Sequence, residues 1–155
     1  MALAAYFQPS FMLNHLGAKG VNMSTDTFEV GLIATGTLAT RSTSEGYEYV
    51  SQLLANNGSA LAEVSGGGYS RQALTSVSWT NSGLVGTFTA ANPAWSSATF
   101  STVYGWIHDE TDSSTTDATR PLLAIFDFGG SQSVSSATFT LDVNGSGLVT
   151  FTAAV

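Results

Sequence analysis

Along most of the chain the apolar residues fall at every second position, the period of a strand with one buried face and one wet face. In FEVGLIAT, residues 28–35, Phe28, Val30 and Leu32 share one side. Thr75, Val77 and Trp79 alternate with Ser76 and Ser78, and a second strand, GLVGTFTAA, starts after the turn residues Asn81, Ser82 and Gly83. In ATFSTVYGWIH the same rule puts Phe100, Tyr104 and Trp106 on one face, with Val103 and Ile107 on the other. LLAIFDFG and ATFTLDV continue the pattern, and Asn144-Gly145 ahead of LVTFTAA is a strong two-residue hairpin signal. Six or seven short strands with frequent turns predict a mainly β chain, folded as an antiparallel β-sandwich or a barrel-like domain.

Two segments in the N-terminal third carry a helical period instead. After Pro9, SFMLNHL is helix-like, with Gly17 suited to a left-handed cap, and Phe7 with Phe11 and Met12 with Leu16 fall four apart. Residues 42–55, STSEGYEYVSQLLA, have capping-box spacing at Ser42 and Glu45, then Tyr47, Val50 and Leu54 at helical intervals, with Asn57-Gly58 as the stop. One or two short helices are therefore expected ahead of most of the strands. The segment HDETDSSTTDATRP, residues 108–121, is acidic and rich in Ser and Thr. It is expected to project into solvent from a hairpin tip and to matter little for folding. No break in pattern divides the chain, so residues 1–155 read as a single β-rich domain.

Charge narrows the function. Only 10% of the residues are charged, against roughly 25% in an ordinary soluble domain, and the net charge is -7. Four Lys and Arg residues in 155 argue against nucleic-acid binding, which needs cations to displace counterions from phosphates, and equally against docking on anionic lipid. The absence of cysteine removes disulfides, thiolate metal sites and a cysteine nucleophile. The N-terminus has no basic region of the signal-peptide kind, and no apolar run reaches the length of a membrane span.

With so few cations, Arg71 in GGGYSRQALTSVSWT, residues 66–80, calls for a role. The glycines allow a close backbone approach, and Tyr69 offers an apolar body with a polar tip. The Arg71 guanidinium is a fork that matches a carboxylate such as Asp127, or backbone carbonyls. This stretch reads as a clamp leading into a strand, either within the fold or across a subunit contact. Asp127 stands on the side of Leu123 and Ile125 in its strand, so it is expected to be partly buried. Trp79, Trp95, Trp106, Tyr69 and Tyr104 read as core or cross-strand aromatics rather than a sugar-stacking platform, with Trp95 in ANPAWSS the least decided.

Catalytic signatures are missing. There is no G-x-S-x-G elbow, His15 lies among apolar residues, and His108 stands where a strand runs into a loop. His108, Asp109, Glu110 and Asp112 are the densest set of candidate metal ligands, but they lack the glycine and terminal glutamate of a calcium loop. They read as a solvated loop, so neither a metal nor a cofactor is expected, and the chain does not read as an enzyme.

The order of segments carries a further reading. GVNMSTDTFEVGLIATG is followed by a helix-like segment, GGGYSRQAL, FTAANPAWSSATFSTVYGWIHDET, PLLAIFDFGG and a closing ATFTLDVNGSGLVTFTAA. This succession resembles a family of small structural proteins of tailed bacteriophages, of the head-decoration or tail-associated type. G-Y-x-R-Q at residues 68–72 and the strand with the acidic tip around HDET are its more specific parts. The resemblance implies a non-enzymatic virion protein, most simply a capsid decoration or cement protein that binds the outer shell and stabilises contacts between capsomers. Its partners would be the major capsid protein and copies of itself, with a homotrimer favoured. Its place would be the capsid exterior after assembly in the host cytoplasm. Tyr69, Arg71, Asp127 and Trp95 would serve structure or assembly. A tail, adaptor or fibre-associated subunit is the alternative within the same particle. From another class comes a carbohydrate-binding module that uses Trp95.

Overall fold

The structure is a computed structural model that describes residues 5–7, 20–40, 43, 46–111, 116–142 and 149–152. Within them the chain is mainly β and every strand pairing is antiparallel. The elements are β1 (Ala5–Phe7), β2 (Phe28–Thr35), α1 (Val50–Ala55), β3 (Ala62–Glu63), β4 (Gln72–Ala73), β5 (Ser78–Ser82), β6 (Val85–Thr89), β7 (Ala94–Asp109), β8 (Leu122–Thr140) and β9 (Val149–Thr152). One sheet runs β1-β8-β7-β2-β3, with β4 also on β2, and a smaller sheet runs β5-β6-β9. No helix among the described residues is long and apolar enough to cross a membrane.

The two sheets share one core, an arrangement compatible with the expected sandwich. Phe28, Val30 and Leu32 of β2, Ile107 of β7 and Phe126 of β8 meet Phe88 of β6 and Val149 of β9. Phe28 and Phe88 pack edge to face with centroids 5.0 Å apart, and full burial of one such side chain contributes about 1.5–3 kcal/mol. The opposite face of the large sheet carries Ile33, Trp106, Leu122 and Ile125, covered by Tyr47, Val50, Leu53 and Leu61. Burial on both faces explains why LLAIF, residues 122–126, is a continuous apolar run and not an alternating one.

The alternation read in β2 holds, with Phe28, Val30 and Leu32 in the shared core and Ile33 on the helix side. In β7 it does not. Phe100 packs toward the shared core, whereas Tyr104 and Trp106 belong to the helix-side cluster. The cause is a register shift: Thr102 faces Gln132, but Tyr104 faces Asp127, so residues 128–131 stand opposite Val103 alone. Gly129 at φ 71° and Gly130 at φ 139° make that bulge possible, and the odd offset lets β7 change faces there while Phe126, Phe128 and Val134 of β8 all stay on the shared core. A second shift between Ile107 and His108 separates Leu123, in the shared core, from Ile125, on the helix side. Asp127 therefore does not share a side with both.

The expected helix over residues 42–55 is shorter: α1 begins at Val50. Tyr49 is extended at φ -123° and bridges Pro121. Gln52 Oε1 accepts from the backbone N–H groups of Glu48 and Tyr49 at 2.5 and 3.2 Å. Left-handed Asn56, at φ 45°, ends the helix. The proposed cap at Ser42 and Glu45, the helix over residues 10–16 and the Asn144-Gly145 turn lie outside the described residues, but Phe7, expected to share a helical face with Phe11, is in strand β1 opposite Ile125. The strand expected from Thr75 starts only at Ser78, because Ser76 sits at φ 53°. Its hairpin turns at Gly83-Leu84, since Ser82 faces Val85.

Candidate functional site

The three glycines ahead of Tyr69 lay this loop against the ribbon formed by the N-terminal half of β7. A Cβ on Gly67 would lie 2.0 Å from the Thr99 carbonyl oxygen, and the Thr99 N–H donates to Gly67 O at 2.8 Å. Tyr69 follows, its ring stacked on Trp95 at 6.3 Å. Its hydroxyl accepts from Leu32 N at 2.9 Å and donates to Glu63 Oε1 at 2.8 Å. Trp95 is 1% exposed and its Nε1 donates to Ser70 O at 2.7 Å. Trp106 is also wholly buried, so neither indole is a platform for a sugar ring.

Arg71 then reaches two carboxylates at once. Its Nε and Nη2 donate to Glu63 of β3 at 2.9 and 2.8 Å, and its Nη1 and Nη2 donate to Asp117 at 2.6 and 2.8 Å. Both contacts are two-pronged, the strongest geometry available to a guanidinium. The guanidinium carbon also stands 5.1 Å from the centre of the Trp106 ring. Gly31, paired with Trp106 across β2 and β7, makes room for that ring, because a Cβ there would meet Cζ2 at 2.2 Å.

Asp127 is not the partner of Arg71. Its Oδ1 accepts from Gly129 N at 2.8 Å, which ties it to the bulge. Sequence reasoning missed Glu63 and Asp117 because one sits in a two-residue strand and the other in a loop that reads as solvated. That loop is instead fastened down. The Val50 and Ser51 N–H groups at the start of α1 donate to Arg120 O and Asp117 O, while Glu110 N donates to Thr27 O. Thr111 Oγ1 accepts from Thr27 N at 2.9 Å. The scarcity of cations was the usable signal: Arg71 and Arg120 are the only Lys or Arg among the described residues, and both join one network.

Arg120 extends that network. Its Nη1 donates to Asp117 Oδ1 at 3.0 Å, its Nη2 donates to Glu110 Oε1, and its Nε lies against Glu110 Oε2. Glu110 Oε2 is 3.2 Å from Nε2 of His108, and Glu29 Oε2 is 3.7 Å from the same nitrogen. Glu29 and His108 are direct cross-strand partners on β2 and β7, and Glu110 follows His108 by two positions. His108 is fully buried, unlike the incidental loop-edge residue expected. Among the described residues, Glu29, His108 and Glu110 place one ligand atom each within 4.8 Å of the others. Asp109 stands apart from this set, with its Oδ1 accepting from Thr111 N at 2.8 Å, and Asp112 lies outside the described residues.

The electrostatics follow from these contacts. Hydrogen bonds from Arg71 hold the Asp117 carboxyl down to about 2. Burial disfavours the Arg71 cation, but Asp117 and Glu63 outweigh it and raise its pKa. Burial raises the Tyr69 phenol, so it stays a proton donor to Glu63. Burial, then the field of Arg71, holds the His108 imidazole below its ordinary range, so it is neutral at pH 7. Burial and the neighbouring Glu110 raise Glu29.

Four carboxylates, two guanidiniums and a neutral imidazole thus join β2, β3, β7 and the loop before β8 on the helix side of the large sheet. Chemically the arrangement can brace these segments and, at its Glu29 end, offer oxygen and nitrogen lone pairs to a cation. Compared with protein-family models, curated proteins and solved structures, the chain matches none.

Proposed function

We propose that this chain is a non-enzymatic virion structural protein of a tailed bacteriophage, a decoration or cement protein that binds the outer capsid surface. The observation that carries the reading is the outer face of the ribbon made by the N-terminal half of β7 and the C-terminal half of β8. Phe100 faces Val134 and both pack on the shared core, so Thr99, Ser101, Ser133 and Ser135 point outward and are exposed. The Ser101 and Ser133 hydroxyls hydrogen-bond across the ribbon at 2.7 Å, and Ser136 N donates to Thr99 Oγ1 at 2.9 Å.

Such a face is uncharged and made of short side chains that lose little rotamer freedom when covered. It suits close docking on a regular protein lattice, where each contact is weak and the number of copies supplies the strength. The charged groups described above support the same reading, since most of them are bound to one another.

Imaging particles that carry the chain by cryo-electron microscopy, with copies counted in the map, tests the proposal. On the order of hundreds of copies on the shell lattice, ribbon face inward, is the expected result for multivalent binding. A few copies at one vertex or along the tail would replace decoration by an adaptor or fibre role, and absence from every particle would overturn both.

A further inference from the structure

We propose that Glu29, His108 and Glu110 form a binding site for a divalent transition-metal ion of the zinc type, independent of any role on a capsid. The three donors belong to paired strands: Glu29 of β2 faces His108 of β7, and Glu110 is anchored directly after β7 by its N–H bond to Thr27 O at 2.9 Å. His108 is a wholly buried side chain whose Nε2 looks out between two carboxylates, at 3.2 and 3.7 Å. Bonds of about 2.0–2.2 Å to a tetrahedral ion separate its donors by roughly 3.3–3.6 Å. His108 already stands near that spacing from both carboxylates, and with all three ligand atoms within 4.8 Å of one another side-chain rotation can close the set on an ion. The two carboxylates are 28% and 20% exposed, so the site opens to solvent on their side and leaves room for water as a further ligand.

Charge and donor type choose the ion. Glu29, Glu63, Glu110 and Asp117 carry four negative charges against the two positive charges of Arg71 and Arg120, so the network holds an excess of two. Among the described residues the Glu29 carboxylate accepts no hydrogen bond, its nearest partner being His108 Nε2. A divalent cation at this end removes the excess. One imidazole with two carboxylates suits zinc and its neighbours, whereas calcium and magnesium prefer oxygen donors throughout. Two features weaken the site. Arg120 already contacts both oxygens of Glu110, and His108 Nδ1 has no acceptor among the described residues. Missing support of that kind lowers metal affinity about 10–100-fold.

The test is isothermal titration of the tag-free full chain with zinc chloride, alongside Glu29→Gln and a parallel calcium titration. The expected result is one zinc per chain in the wild type and affinity at least about tenfold weaker in Glu29→Gln, whose far-UV circular dichroism stays unchanged. Calcium at the same concentrations should give no saturable heat. As a readout that needs no variant, zinc should shift the Nε2 resonance of His108 in the wild-type protein. Zinc binding that is equal in Glu29→Gln, confined to His15, matched by calcium, or absent altogether would overturn the site.

Discussion

Arg71 joins segments far apart in sequence, and its cost of removal follows from what it would leave behind. Truncation leaves Glu63 held only by the Tyr69 hydroxyl and Asp117 only by Arg120 among the described side chains, with the two carboxylates 26% and 31% exposed. Arg71→Ala is therefore expected to lower unfolding free energy by about 2–3 kcal/mol, the range for charged hydrogen bonds lost from a partly buried site. Arg71→Lys keeps the charge but cannot form two forks, so about half of that loss should remain. Urea unfolding of both variants decides it, and a loss below about 0.5 kcal/mol for Arg71→Ala would reduce the network to a surface decoration. The same contact sets an acid limit. Asp117 is held near 2 in the fold against 3.8 unperturbed, so its contribution is complete above about pH 4 and disappears as pH falls toward 2. Stability should drop by roughly 1–2 kcal/mol across that window, and Arg71→Ala should flatten the drop. An unchanged slope in the variant would show that another carboxylate controls acid unfolding. The importance of Arg71 was legible from its rarity and from the glycines before it. Its partners were not, because local sequence says nothing about which distant carboxylate a folded sheet brings near.

The faces of β2, which pairs with β7 in continuous register, were read correctly, and those of β7 beyond its bulge with β8 were not. β2 keeps strict alternation and its faces came out as expected. β7 and β8 obey the same local rule, but residues 128–131 opposite Val103 reset the count, and Tyr104 and Trp106 move to the face opposite Phe100. The glycine pair in DFGG was visible as a turn or bulge signal, while the number of residues it absorbs depends on the partner strand. Gly130 tests the bulge cleanly. A Cβ there would meet no atom within 4 Å, yet the backbone sits at φ 139°, so Gly130→Ala carries backbone strain alone. The expected loss is about 1–3 kcal/mol, seen as a lower urea midpoint with an unchanged m-value. A midpoint equal to wild type would mean that the bulge relaxes freely. The loop before β8 failed for the converse reason: its composition is that of a solvated segment, but its carbonyls meet the first N–H groups of α1 and its Asp117 meets Arg71. Excising residues 116–120 should therefore lower the urea midpoint, contrary to what polarity alone suggests, and a midpoint equal to wild type would return the segment to a solvated loop.

At the scale of the whole molecule the large sheet is buried on both sides at its centre, by the small sheet on one face and by α1 with its neighbouring segments on the other. The ribbon lies beyond this doubly covered region, backed on its inner side by Trp95, Phe100 and Phe139 and bare on its outer side. The division of labour is consistent: charge is concentrated on the helix side of the sheet, and the ribbon presents a neutral surface to whatever it contacts. Ser135 is exposed on that surface and lies outside both core clusters. Ser135→Lys and Ser135→Glu should each leave stability within about 0.5 kcal/mol of wild type. If the ribbon seats on a capsid, both should lose sedimentation with particles, because a long charged side chain of either sign holds the two surfaces apart. Wild-type binding should also change little between low and high salt, as an uncharged contact predicts. Loss with only one of the two signs would indicate an electrostatic contact instead, and full retention with both would show that the ribbon faces solvent in the assembled particle.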